Sequence, residues 1–143
     1  MYELAQSLKD IIEEREYKVN VNEIKFGKFT SCIGIISLNC NSTISAIHLS
    51  MIDGNNNTLD DGGISQIVSL LSDAVCVYVI GFIDLWKSNL KEAYNKLMLN
   101  LTANCEKVVE INSDPNPDVI TVDTQISAKI DNNKLIINEL KKD

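Results

Sequence analysis

The stretch "KFTSCIGIISLNCNSTISAIHLSM", residues 28–51, decides the fold because it contains two apolar runs separated by a short Asn-rich segment. The pattern predicts strands over residues 29–39 and 43–51, joined in a hairpin by the turn "NCNS". The same stretch contains Cys32 and the only histidine of the chain, His48. The predicted hairpin therefore also contains the first candidates for chemistry, a thiol and an imidazole.

The segments on either side of this hairpin complete an α+β pattern. Apolar spacing predicts an amphipathic helix over residues 3–15 and a bent strand over 17–26. Beyond the hairpin, the sequence predicts a short helix near 64–71 and a buried strand at 74–83. A helix capped by Ser88 is predicted to continue through 101. Strands near 106–112 and 118–125 around "SDPNPD" follow, and a final hairpin turns at "DNNK". We expect a single domain over 1–143, an α+β layered fold with one mixed or antiparallel sheet system and helices packed against it.

Composition narrows the classes of partner. The formal net charge is −7, and Arg15 is the only arginine, so a surface that follows nucleic-acid phosphates is not expected. No run approaches the ~18 apolar residues that span a bilayer, and the first residues lack the apolar run of a signal peptide. We therefore expect no membrane partner and a protein made and folded in a reducing cytoplasm, with any export by a route that needs no signal peptide.

The four cysteines show no C-x-x-C spacing, so we expect no zinc site. Cys40, Cys76 and Cys105 are interpreted as small apolar residues that fill space.

Cys32 has a different setting, because antiparallel pairing places position 32 opposite roughly position 50 and so brings Cys32 close to His48. A thiol attacks as its thiolate, and a neighbouring imidazole is the usual base that generates it. Alternation places His48 with Ala46 and Ser50 on the smaller and more polar face of its strand. A Cys-His pair on adjacent strands is nevertheless compatible with a purely structural histidine.

The segments "FTSC" and "ISAIHLSM" resemble the "GSC…AHxxLP" arrangement of the CheD family, which deamidates glutamines of chemoreceptors. The same order of Cys and His occurs in the cytotoxic necrotizing factor toxins, which deamidate a glutamine of small GTPases. The resemblance covers about residues 19–137 in outline, and it implies a single α/β sandwich domain of about this length. It also implies a bacterial protein, either cytoplasmic or delivered to a host cell as an effector.

By this resemblance, Cys32 is the nucleophile and His48 its general base in a protein-glutamine deamidase that works through a thioester and needs no cofactor. Its partner would be a glutamine-bearing protein. CheD proteins have a threonine six positions before the cysteine that orients the histidine, and Phe26 occupies that position here. The orienting group is then expected to be a backbone carbonyl or Thr30, and the oxyanion donors the backbone around Ser31 and Cys32.

Two other interpretations stay open at this point. The chain could be a protein-binding module on the same fold without turnover, or an α+β interaction domain whose resemblance to the deamidases is accidental.

Overall fold

A computed structural model describes residues 1–113 and 123–142 and shows mixed α+β content. The strands are β1 (Ala5–Gln6), β2 (Ile11–Ile12), β3 (Glu16–Val21), β4 (Glu23–Phe26), β5 (Ile33–Asn39), β6 (Ile44–Leu49), β7 (Ala74–Gly81), β8 (Lys107–Asn112), β9 (Asp123–Asp131) and β10 (Lys134–Lys142). The helices are α1 (Asp61–Leu70), α2 (Ile83–Asn89) and α3 (Lys91–Asn104).

The described strands form two sheets where the sequence predicted one sheet system. The first has six strands in the order β1-β3-β6-β5-β7-β8, and the second has four in the order β10-β9-β4-β2. One apolar cluster lies between the three helices and the six-stranded sheet. A second cluster lies between the two sheets. The layers are thus helices, a six-stranded sheet and a four-stranded sheet, with the predicted hairpin at the centre.

The hairpin prediction is confirmed. β5 and β6 pair antiparallel with Ile33 opposite Leu49 and Gly34 opposite His48, and Ser42 in the turn has a φ of 61°. Every residue of β6 is buried, because the helices cover one face of this strand and the four-stranded sheet covers the other. Strands covered on both faces are expected to read as continuous apolar runs.

The helix predicted over residues 3–15 is wrong. Two short strands replace it, and each pairs parallel at a sheet edge, β1 with β3 and β2 with β4. Leu4 belongs to the helix-side cluster and Ile12 to the inter-sheet cluster, whereas Leu8 between them is 92% exposed. The helical spacing is a coincidence, because the segment crosses from one sheet to the other and buries its apolar residues in two separate cores.

The bend predicted within 17–26 is confirmed, and it separates strands of different sheets. β3 pairs with β6 in the six-stranded sheet, whereas β4 pairs with β9 in the four-stranded one. Asn20 has a φ of 55° just before this change of sheet. A positive φ is tolerated by asparagine better than by most residues, so the local chemistry suits the break.

Most of the later elements agree with the sequence. α1 and the start of β8 lie where they were predicted, and Asn132 and Asn133 form the final hairpin turn with φ of 51° and 62°. The Ser88 cap is wrong, because Ser88 lies inside α2 and the residue before α3 is Leu90. The segment "SDPNPD" after Ser113 and the start of the strand predicted at 118–125 lie outside the described residues.

No helix within residues 1–113 and 123–142 is long and apolar enough to cross a membrane.

Candidate functional site

Cys32 lies directly before β5 in the inter-sheet cluster, and its side chain is only 1% exposed. Its backbone carbonyl accepts a hydrogen bond of 3.1 Å from Phe82 N–H. Gly81 passes beneath the same carbonyl with a φ of 132°, and a Cβ added to Gly81 would lie 2.5 Å from that oxygen. Only glycine fits this conformation and this close approach, so β7 fixes the backbone at Cys32.

The Cys32 thiol donates a hydrogen bond to a carboxylate. Its Sγ lies 3.6 Å from Oε1 of Glu14. The pKa of Cys32 is raised from 9.0 to about 12, first by burial and then by the negative charge of Glu14 and this hydrogen bond, while the backbone N–H of Ser31 and the charge of Arg15 act in the opposite direction. In this conformation Cys32 is a protonated thiol.

His48 is 1% exposed, and its ring is held by the backbone of β2. Nδ1 lies 2.9 Å from the carbonyl oxygen of Ile12. A carbonyl can only accept, so Nδ1 carries the proton. Burial lowers the pKa of His48, although the Ile12 carbonyl and the nearby Glu13, Glu14 and Glu16 act to raise it. The ring is therefore neutral near pH 7, and Nε2 carries a lone pair.

That lone pair has no protein partner within the part of the chain that the structure describes, because Nε2 of His48 is buried there without a hydrogen bond. Buried polar atoms are nearly always paired, so an orphaned nitrogen acceptor in a buried site is a specific observation. A neutral imidazole with a fixed Nδ1–H and a free Nε2 is the form that acts as a general base.

Two phenylalanines hold the imidazole from its sides. The ring centroid of Phe29 lies 4.6 Å from that of His48, and Phe26 makes an edge contact at 5.5 Å. Gly34 pairs with His48 across the sheet, and a Cβ at Gly34 would lie 2.8 Å from the Phe26 ring and 2.9 Å from the Phe29 ring. The absence of a side chain at Gly34 therefore makes room for this aromatic cage.

The structure brings Cys32 and His48 to the same face of adjacent strands. His48 and Gly34 are paired, and Cys32, two residues before Gly34, projects to the same side by alternation. No hydrogen bond joins them among the described residues, because the thiol donates to Glu14, Nδ1 donates to Ile12 and Nε2 has no partner. This face of β6, predicted to be the smaller and more polar one, is buried against the four-stranded sheet.

The structure places the other predicted site residues, Phe26, Thr30 and Ser31, in different surroundings. Phe26 packs on the ring, and the expected orienting carbonyl is that of Ile12. Thr30 is exposed and is not the group that binds Nδ1. Ser31 lies beside the sulfur, with its backbone N–H favouring the thiolate, and its carbonyl accepts a hydrogen bond of 2.8 Å from Trp86 Nε1.

Sequence reasoning missed the turn after β2. Glu14 contacts the thiol, and Arg15, with a φ of 61°, donates from its backbone to the His48 carbonyl at 2.7 Å. Arg15 Nη1 also donates to Ser50 Oγ at 2.8 Å. The local signal was the charged run "EERE", which the incorrect helix assigned to a solvated face.

Two cavities flank this turn. The first, here called the imidazole cleft, has a volume of about 580 Å³ and includes His48, Glu13, Glu14, Gly27 and Gln125 in its lining. The second, here called the acidic cavity, has a volume of about 340 Å³ and includes Glu3, Glu14, Arg15, Glu16 and Asp53. Glu14 and Arg15 belong to both linings, so the turn is the wall between them.

Within the described residues, no group of three or more His, Cys, Asp or Glu side chains is arranged to hold a metal ion. No protein-family model matches the chain, and comparison with the curated proteins gives no match either.

Proposed function

We propose that the protein is a protein-glutamine deamidase in which Cys32 is the nucleophile and His48 the general base. The observation that carries the proposal is the imidazole of His48, whose Nδ1–H is committed to the Ile12 carbonyl while the buried Nε2 has no partner among the described residues. The orienting carbonyl comes from backbone, which is the arrangement expected when the family threonine is replaced by Phe26.

The reaction starts from the protonated thiol. Once Glu14 moves aside, Nε2 of His48 takes the Cys32 proton, and the thiolate attacks the side-chain amide carbon of a substrate glutamine. The imidazolium then gives its proton to the amide nitrogen, the C–N bond breaks, and ammonia leaves a thioester on Cys32. Water, deprotonated by His48, attacks the thioester, so that the C–S bond breaks and glutamate and the free thiol result.

The negative oxygen formed in each attack needs hydrogen-bond donors already in place. The backbone N–H groups at Ser31 and Cys32 are the economical source, because they belong to the segment that presents the sulfur. Two hydrogen bonds hold this segment in place. Trp86 Nε1 donates to the Ser31 carbonyl at 2.8 Å, and Phe82 N–H donates to the Cys32 carbonyl at 3.1 Å.

The second candidate function is a protein-binding module without turnover. It is favoured by the contact between Cys32 Sγ and Glu14 Oε1 at 3.6 Å and by the pKa of about 12 that burial and Glu14 give the thiol. The two functions differ in whether Glu14 leaves the sulfur when a partner binds.

The deciding experiment incubates the full chain with chemoreceptor signalling domains and with small GTPases, the two substrate classes that the resemblance suggests. Mass spectrometry then measures conversion of glutamine to glutamate. Wild type and the control Cys40→Ser, which changes an exposed cysteine, should convert the same glutamine. Cys32→Ser and His48→Ala should lower the rate by at least a hundredfold, the usual scale for loss of a nucleophile or a base.

Conversion that persists in Cys32→Ser would exclude the proposed nucleophile. Stable binding of a target protein by the wild type, without conversion of any of its glutamines, would favour the binding module.

A further inference from the structure

The wall between the two cavities contains a weakly held carboxylate, that of Glu14. Glu14 is half-exposed, at 50%, and divides its carboxylate between two partners. Oε1 accepts from Cys32 Sγ at 3.6 Å, and Oε2 lies 3.6 Å from Arg15 Nη1. A carboxylate held by one weak thiol donor and one long ion pair is displaced at a small free-energy cost, since exposed ion pairs contribute little to stability.

Arg15 itself is committed elsewhere. It anchors the turn through its backbone N–H to His48 and its Nη1 to Ser50 and to the Ile52 carbonyl. The turn backbone is thereby pinned to the end of β6, whereas the Glu14 side chain can rotate into solvent.

The charge around the wall is strongly unbalanced. The two cavities together are lined by five carboxylates and two cations, namely Glu3, Glu13, Glu14, Glu16 and Asp53 against Arg15 and Lys28. Four of the five carboxylates, all except Glu13, line the acidic cavity. The whole chain carries the same sign, with a net charge of −7.

An acidic cavity alone would not mark a site, but this one adjoins an independent sign of a ligand. The buried His48, whose Nε2 has no protein partner among the described residues, lines the imidazole cleft on the other side of Glu14. A molecule that reaches His48 through the cleft therefore meets the same carboxylate that lines the acidic cavity.

We propose that the substrate carries a lysine or arginine a few residues from its glutamine, and that this cation binds Glu14 from the acidic cavity while the glutamine enters the imidazole cleft. This inference rests on the proposed function and names its substrate class. The cation draws Glu14 away from Cys32, so recognition of the basic side chain also releases the thiol. An acidic flanking residue is repelled by the same carboxylates and leaves Glu14 on the sulfur.

The first test needs no turnover. Cys32 in the full chain is labelled with methanethiosulfonates that carry a positive aminoethyl group, a neutral methyl group or a negative sulfonatoethyl group, and each cysteine is quantified by peptide mass spectrometry. The positive reagent should label Cys32 about tenfold faster than the negative one after normalisation to the exposed Cys40, the scale of two weak ion pairs. The preference should shrink at 1 M salt, where the screening length is about 3 Å.

Glu14→Gln removes the charge with little change of shape. It should reduce the charge preference at Cys32 severalfold and raise the rate with the neutral reagent severalfold, because the carboxylate no longer favours the protonated thiol. The matched control Glu106→Gln removes one charge from an exposed glutamate outside both cavities and should change neither. Equal labelling by the three reagents in the wild type, or an unchanged preference in Glu14→Gln, would overturn the proposal.

The second test separates recognition from activity. Synthetic peptides with a central glutamine flanked by lysine, alanine or glutamate are compared by release of ammonia, with an expected preference of about tenfold for lysine over glutamate. Deamidation at equal rates would overturn the cation proposal and leave the deamidase intact. Charge-selective labelling without deamidation of any peptide would support cation binding at Glu14 and count against the deamidase.

Discussion

The replacement Gly34→Ala tests the aromatic cage around His48. A Cβ at position 34 would lie 2.8 and 2.9 Å from two atoms of Phe26 and 2.9 Å from Phe29, whereas carbon atoms in favourable contact lie about 3.5–4.0 Å apart. The backbone cannot yield, since Gly34 is paired with His48 on one side and Ile80 on the other. Both fully buried rings must therefore move by several tenths of an ångström or more.

Overpacking of this kind costs about 1–3 kcal/mol. Loss of glycine freedom in the unfolded chain returns about 0.4–1 kcal/mol, so the free energy of unfolding should fall by about 1–2 kcal/mol. With a urea dependence of about 2 kcal/mol per M, the unfolding midpoint should fall by about 0.5–1 M. Gly54→Ala is the matched control, because a Cβ there meets nothing within 4 Å, and its midpoint should match the wild type or exceed it slightly.

The same samples report on the site itself. The chain has one histidine, so a proton spectrum contains one set of imidazole signals, whose positions depend on the ring currents of the cage. These signals should shift in Gly34→Ala and stay in place in Gly54→Ala. A Gly34→Ala protein with the wild-type midpoint and unmoved imidazole signals would refute the packing described for the cage.

Three further predictions address the tautomer of His48, the hydrogen bond from Trp86 to Ser31 and the last hairpin. Nitrogen-15 spectra of His48 should show the proton on Nδ1, and an Nε2-protonated ring would contradict the hydrogen bond to Ile12. The same spectra should give a titration midpoint below 6.5, so that the free energy of unfolding falls as the pH is lowered from 6.5 towards the folded pKa. Trp86→Phe, which leaves the Ser31 carbonyl without its donor, should lower the free energy of unfolding by about 1–2 kcal/mol in urea titrations, and no loss would show that this bond is dispensable. Asn133→Val should cost about 1–2 kcal/mol at its φ of 62° while Asn133→Gly costs little, and equal midpoints for the two would argue against this turn.

The sequence predicted the parts of the fold whose signals are local and repeated. The hairpin around "NCNS" and the turn at Asn132 and Asn133 follow from apolar runs and from residues that tolerate positive φ. The N-terminal segment was mispredicted because β1 and β2 have two residues each, too few to show alternation. Parallel pairing with β3 and β4 decided its structure, and those two strands are themselves placed by pairing with β6 and β9 far along the chain.

Some features of the candidate site could likewise be predicted from the sequence, and others could not. The placement of Cys32 and His48 on one face of adjacent strands was predictable, because hairpin register is fixed by the turn and by alternation. The Ile12 carbonyl was not, since any residue has a carbonyl and only the tertiary fold brings this one to Nδ1. Glu14 was missed because the helix prediction assigned it to solvent, and its position over the thiol depends on the crossing between sheets.

The segment between the two sheets has a dynamic consequence. Ile12, which fixes the imidazole, and Glu14, which covers the sulfur, are two residues apart, and the strand that carries the first has only two residues. A stretch held by so few backbone bonds exchanges its amide protons through small local fluctuations, well before the rest of a protein unfolds. Fraying at β2 therefore frees the imidazole and the thiol together, whereas rotation of the Glu14 side chain alone uncovers the thiol and leaves the Ile12 anchor in place, so only the second motion keeps the ring oriented.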